Sequence, residues 1–315
     1  MVTNKALYQK YCEDNPVPIF NQPWWWDAVC ENQWDVTLVK NGGSIIAALP
    51  YHLKKKGIYS VILPPQLTQY TELILNYPDG QKYASKIGFE KKNITEIIDQ
   101  LPNTDYTELT LSGKLTNWLS FKWKGFTETT RYTYLIPDLS DLKKVHSEFK
   151  ENIRREIKKA EKQLTISTIE DVDIFYSINQ KTFARQKIEN SYSIDLFKKM
   201  DEACTKQNCR SIYLAKDQNG NVHGSIYIVW DKTTSYYLAG GSDPDFRTSG
   251  AHSLLMWKAI QDAANRNLIF DFKGSMIESV ESFFRGFGAI QTPYFLVKKY
   301  NSKVLKFVLP LLYSE

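Results

Sequence analysis

Cysteine is scarce and nothing in the chain organises it. Cys12, Cys30, Cys204 and Cys209 form no CxxC pair and stand near no histidine cluster, so neither a disulfide framework nor a zinc site is indicated. Reduced, structural thiols are expected, and no metal. Long hydrophobic runs are missing as well. No apolar stretch approaches the roughly 18 residues that a membrane helix needs, and Met1 to Lys10 lacks the basic-then-apolar build of a signal peptide. A cytoplasmic address without a transmembrane segment is expected. Val304 to Tyr313 is apolar but short and broken by Pro310, and reads as a final strand or docking tail. A strong excess of one charge is also lacking. The net charge of +5 over 315 residues is too small to imply nucleic acid by itself, and DNA is not expected as a partner.

What is present suits a soluble globular protein, with 43% hydrophobic and 24% charged residues. The length is about twice that of an ordinary domain, which favours two domains over one large core. The internal pattern agrees. From Asp35, the stretch DVTLVKNGGSIIAALPYHLKKKGIYSVILPP gives three β-rich runs separated by a turn at Asn41, Gly42 and Gly43 and by a Lys-rich turn ending at Gly57. From Ser211, SIYLAKDQNGNVHGSIYIVWDKTTSYYLAGG repeats that meander, with its first turn at Asn219 and Gly220. The segments beginning at Tyr106 and Leu268 then match in turn: a strand, a small-residue loop, a short aromatic helix with a basic residue and glycine, and an aromatic strand. Self-similarity of this length indicates a duplicated architecture.

Helical sequence lies between these units, over Lys82 to Leu101 in the first half and around Met256, Ala259, Ile260 and Ala263 in the second. Pro137 ends a strand and Asp138 to Asp141 supplies helix N-cap chemistry, so the boundary is placed at Asp138, giving domains 1–137 and 138–315. One helix is expected to open the second half, with Leu142, Val145, Phe149, Ile153, Ile157, Ala160 and Leu164 on its apolar face. Lys150, Arg154, Lys158 and Lys162 form a basic ridge along it. Such a ridge is either a plain solvated face or a patch for a phosphate-bearing substrate: a nucleotide-linked sugar, coenzyme A or tRNA.

The helix FKENIRREIKKAEK (Phe149 to Lys162), the segment KTFARQ (Lys181 to Gln186) and the later YYLAGGSDPDFRTSGAHSLLMWKAIQDA, FDFKGS and FFRGFG together resemble the FemAB-like branch of the GNAT acyltransferase superfamily. The resemblance covers the second half almost wholly and the first half in architecture only. It implies an α/β (α+β) fold of two tandem GNAT-like domains, each a mixed, mostly antiparallel sheet flanked by helices and splayed to admit a donor. It also implies acyl transfer to an amine or hydroxyl, with no tightly bound cofactor and with acyl-CoA as co-substrate.

Several residues follow from this resemblance. GNAT proteins hold the coenzyme A pyrophosphate on backbone N–H groups where a loop meets a helix, with a Q/R-x-x-G-x-G/A signature. Here Arg247, Thr248, Ser249, Gly250, Ala251 and His252 occupy that stretch, and His252 stands where glycine or alanine is expected. In peptidoglycan-type relatives a short helix carries an F-K-x-x-F-G motif whose lysine helps to bind the acyl group. Arg285 takes that place, suited to an oxyanion or a phosphate rather than to base catalysis. An Arg285 ion pair with Asp271 or Glu281 is the structural alternative. Asp271 is the carboxylate candidate for general base, and Tyr237 the candidate general acid. Lys273 and Ser275 belong to the same closing unit, and Lys273, Arg154 and Arg185 are candidate substrate-binding cations. An acceptor pocket can use Trp25 with its neighbours Trp24 and Trp26, and Gln69 and Tyr70 of the Pro64-to-Tyr70 loop. A packed helix start is the first reading for two of the three tryptophans.

Three functions are therefore weighed. The first is an N- or O-acyltransferase moving an acyl group from acyl-CoA to a cell-envelope or polysaccharide precursor, its acceptor a small molecule or a nucleotide- or lipid-linked glycan. The second is aminoacyl-tRNA-dependent transfer to a peptidoglycan precursor, ranked lower because the long charged helical hairpin of the larger tRNA-using relatives is missing. The third is a non-catalytic binding protein with degenerate domains.

Overall fold

The computed structural model describes residues 2–186 and 190–312. Helix α1 (Asn4–Asp14) starts where the Thr3 hydroxyl accepts the Ala6 N–H, and α2 (Pro23–Cys30) starts on a proline, whose missing N–H costs nothing in a first turn. The first meander follows as β1 (Trp34–Asn41), β2 (Ser44–Lys56) and β3 (Tyr59–Ile62), with a two-residue strand β4 (Ile74–Leu75) against β2. Helix α3 (Tyr83–Gln100) lies where helical sequence was expected, and β5 (Tyr106–Leu111), α4 (Leu119–Trp123) and β6 (Thr127–Ile136) complete the first pass.

The second pass opens with α5 (Leu142–Ser147), α6 (Glu151–Ala160), β7 (Thr165–Ile169), α7 (Val172–Gln186) and α8 (Ile194–Lys206). Its meander is β8 (Arg210–Lys216), β9 (Val222–Trp230) and β10 (Thr234–Ser242). Then come α9 (Ala251–Asn265), β11 (Ile269–Asp271), α10 (Glu278–Arg285), β12 (Ile290–Tyr300) and α11 (Lys303–Leu312). The two passes share topology as well as order. In each the meander is antiparallel, a helix follows, and the next strand returns parallel to the meander's last: β5 beside β3, and β11 beside β10. The fold is thus α/β with two tandem copies of a mixed, mostly antiparallel sheet flanked by helices.

Contacts divide the chain into two units, Met1–Arg131 with Pro293–Glu315, and Tyr132–Thr292. The sequence placed its boundary at Asp138 and kept the tail with the second half. The difference arises from the two closing strands. In the first unit, β12 pairs antiparallel with β5 from Phe295↔Leu111 to Tyr300↔Tyr106. In the second, β6 pairs antiparallel with β11 at Phe270↔Ile136 and Asp271↔Leu135. Each closing strand serves the unit opposite to its place in the sequence.

The core of the first unit gathers Leu49, Ile62, Ile94, Ile97, Leu111, Phe121 and Val297. That of the second gathers Tyr134, Phe149, Leu255, Met256, Ile260, Phe270 and Phe272. Burying each such side chain contributes roughly 1.5–3 kcal/mol. As expected, Asp141 caps α5, accepting the N–H groups of Lys143 and Lys144.

The single helix expected over Leu142 to Leu164 is broken between Ser147 and Glu151. The segment after α10 lies so close that a Cβ on Gly288 would stand 2.8 Å from the Glu148 Cβ. Lys150 N–H donates to the Gly286 carbonyl at 2.8 Å, and Phe149 turns inward against Trp257 and Phe287. Of the two readings of the tail, strand or docking tail, the strand is not found. Lys303–Leu312 is helical rather than a strand, and Tyr313 lies outside the described residues.

Candidate functional site

In the second unit the pairing between two neighbouring strands ends early. β10 pairs with β11 only from Thr234↔Ile269 to Tyr236↔Asp271. A bulge then interrupts its pairing with β9 between Tyr237 and Ala239, and β10 continues along β9 to Ser242 while β11 has ended. A bulge of this kind bends its strand and increases the local twist, which separates the two strands beyond it. Helix α7 braces the continuing part. Asn179 Nδ2 donates to the Gly240 carbonyl at 2.9 Å, the Ser242 N–H donates to Thr182 Oγ1 at 3.0 Å, and Lys181 pairs with Asp243 at 2.5 Å. A Cβ on Gly241 would stand 2.6 Å from the Ile178 carbonyl oxygen, so glycine is what lets α7 lie this close.

The loop Arg247-Thr248-Ser249-Gly250 leads from β10 into α9. Gly250 has φ +79°, and a Cβ there would stand 2.4 Å from the Glu156 carbonyl oxygen of α6. Its glycine character is therefore required by the left-handed backbone and by the approach of α6. The same helix and the turn after it strap the loop: Lys159 Nζ donates to the Thr248 carbonyl and Gln163 Nε2 to that of Ser249. Ser249 Oγ accepts the Ala251 N–H at 3.3 Å, while Arg247 and Thr248 are exposed. A helix start leaves its first-turn N–H groups without intrahelical acceptors, and this one opens beside the end of β10.

His252 lies in the first turn of α9 and its ring turns towards β10. Nε2 is 3.3 Å from Tyr237 Oη and Nδ1 is 3.4 Å from Ser242 Oγ, with the ring edge-on to Tyr237 and packed against Phe283. Burial pushes its pKa down to about 4, leaving a neutral imidazole at physiological pH, and burial likewise raises that of Tyr237. The imidazole is thus held within the unit as a polar bridge rather than laid across the loop.

Asp271, at the end of β11, is 0% exposed and accepts the Thr133 hydroxyl at 2.5 Å and the Lys273 N–H at 2.7 Å. The next turn is tight. Lys273 has φ +56°, and a Cβ on Gly274 would stand 1.9 Å from the Tyr132 carbonyl oxygen. Desolvation pushes the Lys273 amine down to about 7, against the opposing pull of the Asp271 carboxylate. Arg285, half-exposed on α10, pairs with Glu281 at 2.7 Å, and Glu281 also accepts the Tyr134 hydroxyl at 2.7 Å. The Glu281 partnership is the one observed for Arg285.

Other expected residues stand apart from this cluster. Arg154 Nη1 donates to the carbonyls of Ser147 and Phe149, covering the C-terminal end of α5. Arg185 is exposed in the last turn of α7. Trp25, Gln69 and Tyr70 belong to the first unit. Trp25 and Trp26 are buried, their indole N–H groups donating to Thr68 Oγ1 and to the Phe20 carbonyl, each at 2.8 Å. Tyr70 packs against Phe20 and Tyr294. Sequence reasoning named Glu281 as a partner for Arg285 but missed Ser242, Thr133 and Lys181 as members of the site's support. Thr133 lies 138 positions from its partner Asp271, a separation that no local pattern bridges. Among the described residues no group of three His, Cys, Asp or Glu side chains is placed to hold a metal ion.

Residues 147–278 match the family model described as an acetyltransferase (GNAT) domain. No curated protein matches the sequence. Among solved structures, that of FemX is similar over 98% of this chain and 99% of that one, with TM-score 0.69 at 12% identity. The C-terminal domain of a protein described as a lysylphosphatidylglycerol synthetase, from Agrobacterium fabrum, is similar over 98% and 96%, with TM-score 0.60 at 9% identity. A tandem GNAT protein from the clavulanic acid biosynthesis pathway is similar over 94% and 93%, with TM-score 0.52 at 9% identity. At these identities the likeness is one of fold.

Proposed function

We propose that the chain, whose residues 147–278 match the model of an acetyltransferase (GNAT) domain, is an N- or O-acyltransferase that takes its acyl group from acyl-CoA and passes it to a cell-envelope or polysaccharide precursor. The observation that carries this reading is the parting of β10 from β11 beside the start of α9. A thioester lying in that gap would have its acyl carbonyl along the unpaired side of β10, and its phosphates by the first turn of α9 and exposed Arg247. The lysylphosphatidylglycerol named for the synthetase domain supports an envelope-type acceptor.

In this reading the acceptor amine or hydroxyl attacks the acyl carbon, and the tetrahedral intermediate expels coenzyme A as a thiolate that takes up a proton. Tyr237, kept protonated by burial, is the donor of that proton. His252 sets the direction of the phenol through its Nε2. The Lys273 amine, with a pKa near 7, is matched to accepting a proton from an attacking nucleophile. Asp271 fixes the Lys273 turn, and Arg285 offers positive charge to the oxyanion while Glu281 orients it. The test is single-turnover acyl transfer from a panel of CoA esters to aminosugar and hydroxyl acceptors. Transfer that falls in Tyr237→Phe with the protein still folded supports the assignment, and inertness towards every ester overturns it.

Aminoacyl-tRNA is the alternative donor, favoured by exposed Lys158 on α6 and exposed Lys162 in the turn that follows it. Charge reversal at both positions abolishes tRNA retention on a filter if that reading holds. Retention that is absent in the wild type, or unchanged in the variant, removes it.

A further inference from the structure

The first unit carries a surface that acyl transfer does not use. Helix α11 packs Leu305 and Leu309 onto Tyr59, Val61, Leu63, Tyr106 and Tyr300. Its other side is apolar too. Val304, Phe307 and Val308 are 55%, 74% and 39% exposed, and their i, i+3, i+4 spacing makes one stripe. Lys303 and Lys306 border it, both exposed.

The tip of the β2–β3 hairpin is tied to the start of this helix. Ser60 exchanges two hydrogen bonds with Asp105, its N–H donating to the carboxylate at 2.9 Å and its carbonyl accepting the Asp105 N–H at 2.8 Å. The Asp105 carbonyl in turn accepts the N–H groups of Asn301 and Ser302, each at 3.0 Å. Two residues before Ser60, Ile58 is 92% exposed at a turn that follows Lys54, Lys55 and Lys56. Residues 53–70 contain no aspartate or glutamate, and neither do residues 298–312. Lys298 faces Glu108, Lys299 lies over the Phe126 ring and the Asp105 carboxylate is engaged by the Ser60 N–H, which leaves the three hairpin lysines and the two of the helix as the unengaged charge of these segments.

We propose that α11 and the β2–β3 tip form a docking face for an anionic phospholipid surface, with the helix lying in the interfacial plane. An apolar stripe flanked by flexible ammonium groups, with no acidic residue in residues 53–70 or 298–312, matches acyl chains below and phosphates beside. A second copy of the chain fits poorly. An isologous contact along the stripe sets Lys303 and Lys306 against their own counterparts, and three side chains fall well short of the roughly 800 Å² per partner of a stable interface. Among the described residues no helix is long and apolar enough to cross a membrane, so this surface lies on the bilayer and does not span it.

The test is co-sedimentation of the full chain with vesicles of phosphatidylcholine alone and with phosphatidylglycerol added. Each lysine near an anionic surface strengthens binding about fivefold. Lys303→Glu with Lys306→Glu therefore weakens binding to the anionic vesicles about 25-fold or more. Val304→Ser with Phe307→Ser weakens binding to the same vesicles, and raised salt weakens wild-type binding. Far-ultraviolet circular dichroism checks that both variants keep their fold. No sedimentation with anionic vesicles, or equal sedimentation of the variants, overturns the proposal. So does a wild-type dimer in the ultracentrifuge that the serine variant dissolves, because the stripe is then a contact between copies.

Discussion

The Tyr237 phenol oxygen stands 3.3 Å from His252 Nε2, and the other nitrogen of that imidazole stands 3.4 Å from Ser242 Oγ. A strand residue is thereby joined, through the first turn of the following helix, to the far end of the same strand. Kept neutral, the imidazole has one donating and one accepting nitrogen, and the serine hydroxyl can satisfy either. If Tyr237 delivers the proton to the leaving group, Tyr237→Phe lowers kcat by roughly 10²-fold and leaves the donor KM nearly unchanged. His252→Gln lowers kcat less, since the phenol remains but loses its orientation. Steady-state kinetics on both variants checks the ordering.

Gly250→Ala is expected to destabilise the protein by at least about 2 kcal/mol, since the left-handed conformation alone costs roughly 1–2 kcal/mol for an alanine. The new Cβ would also stand 2.4 Å from the Glu156 carbonyl oxygen, which is backbone and yields only if α6 moves. Urea denaturation measures the loss. A change within about 0.5 kcal/mol, ordinary for an indifferent surface site, would show that α6 does not lean on this loop.

Acid sensitivity follows from two histidines. Burial pushes both His52 and His252 down to about 4, and the ring nitrogens of His52 have no hydrogen-bond partner. Between pH 6.5 and about 4 the unfolded chain binds protons that the folded one refuses. Their contribution to stability is therefore complete above 6.5 and is lost as pH falls through that window. For His52, 3% exposed, the loss amounts to at most on the order of 3 kcal/mol. Denaturation midpoints from pH 7 to 4 should fall, and less steeply in His52→Gln.

Lys273 gives a chemical signature. With a pKa near 7 its amine is about half neutral at pH 7, whereas an ordinary lysine is neutral about once in 2,500. Competitive labelling with limiting acetic anhydride, read by mass spectrometry, should place Lys273 among the fastest lysines despite its partial burial. Asp271→Asn removes the opposing attraction, so its labelling at neutral pH rises further.

The meanders were legible because glycine turns punctuate them and their strands alternate or run apolar. Gly42, Gly43, Gly57 and Gly220 all have positive φ where turns were expected. The break at Glu148 to Lys150 was not legible. The apolar spacing from Leu142 to Leu164 runs on across it, and only the approach of Gly286 and Gly288 from over a hundred residues away interrupts the helix. The exchange of closing strands was hidden for the same reason: β6 and β12 read alike as aromatic strands, and their partners are set by the fold. At the site, the motif position showed where α9 starts but not which way His252 faces. Arg154 reads as a free member of a basic ridge, yet its guanidinium is held by two backbone carbonyls.

The seat of the donor between β10 and the start of α9 is tested most directly by calorimetric titration with acetyl-CoA of the wild type and of Arg247→Ala, an exposed loop position whose loss leaves the packing intact. Saturable binding that weakens about tenfold in the variant, the loss of one charge-assisted contact to phosphate, is the predicted result. No saturable binding of acetyl-CoA or of longer CoA esters to the wild type would contradict it.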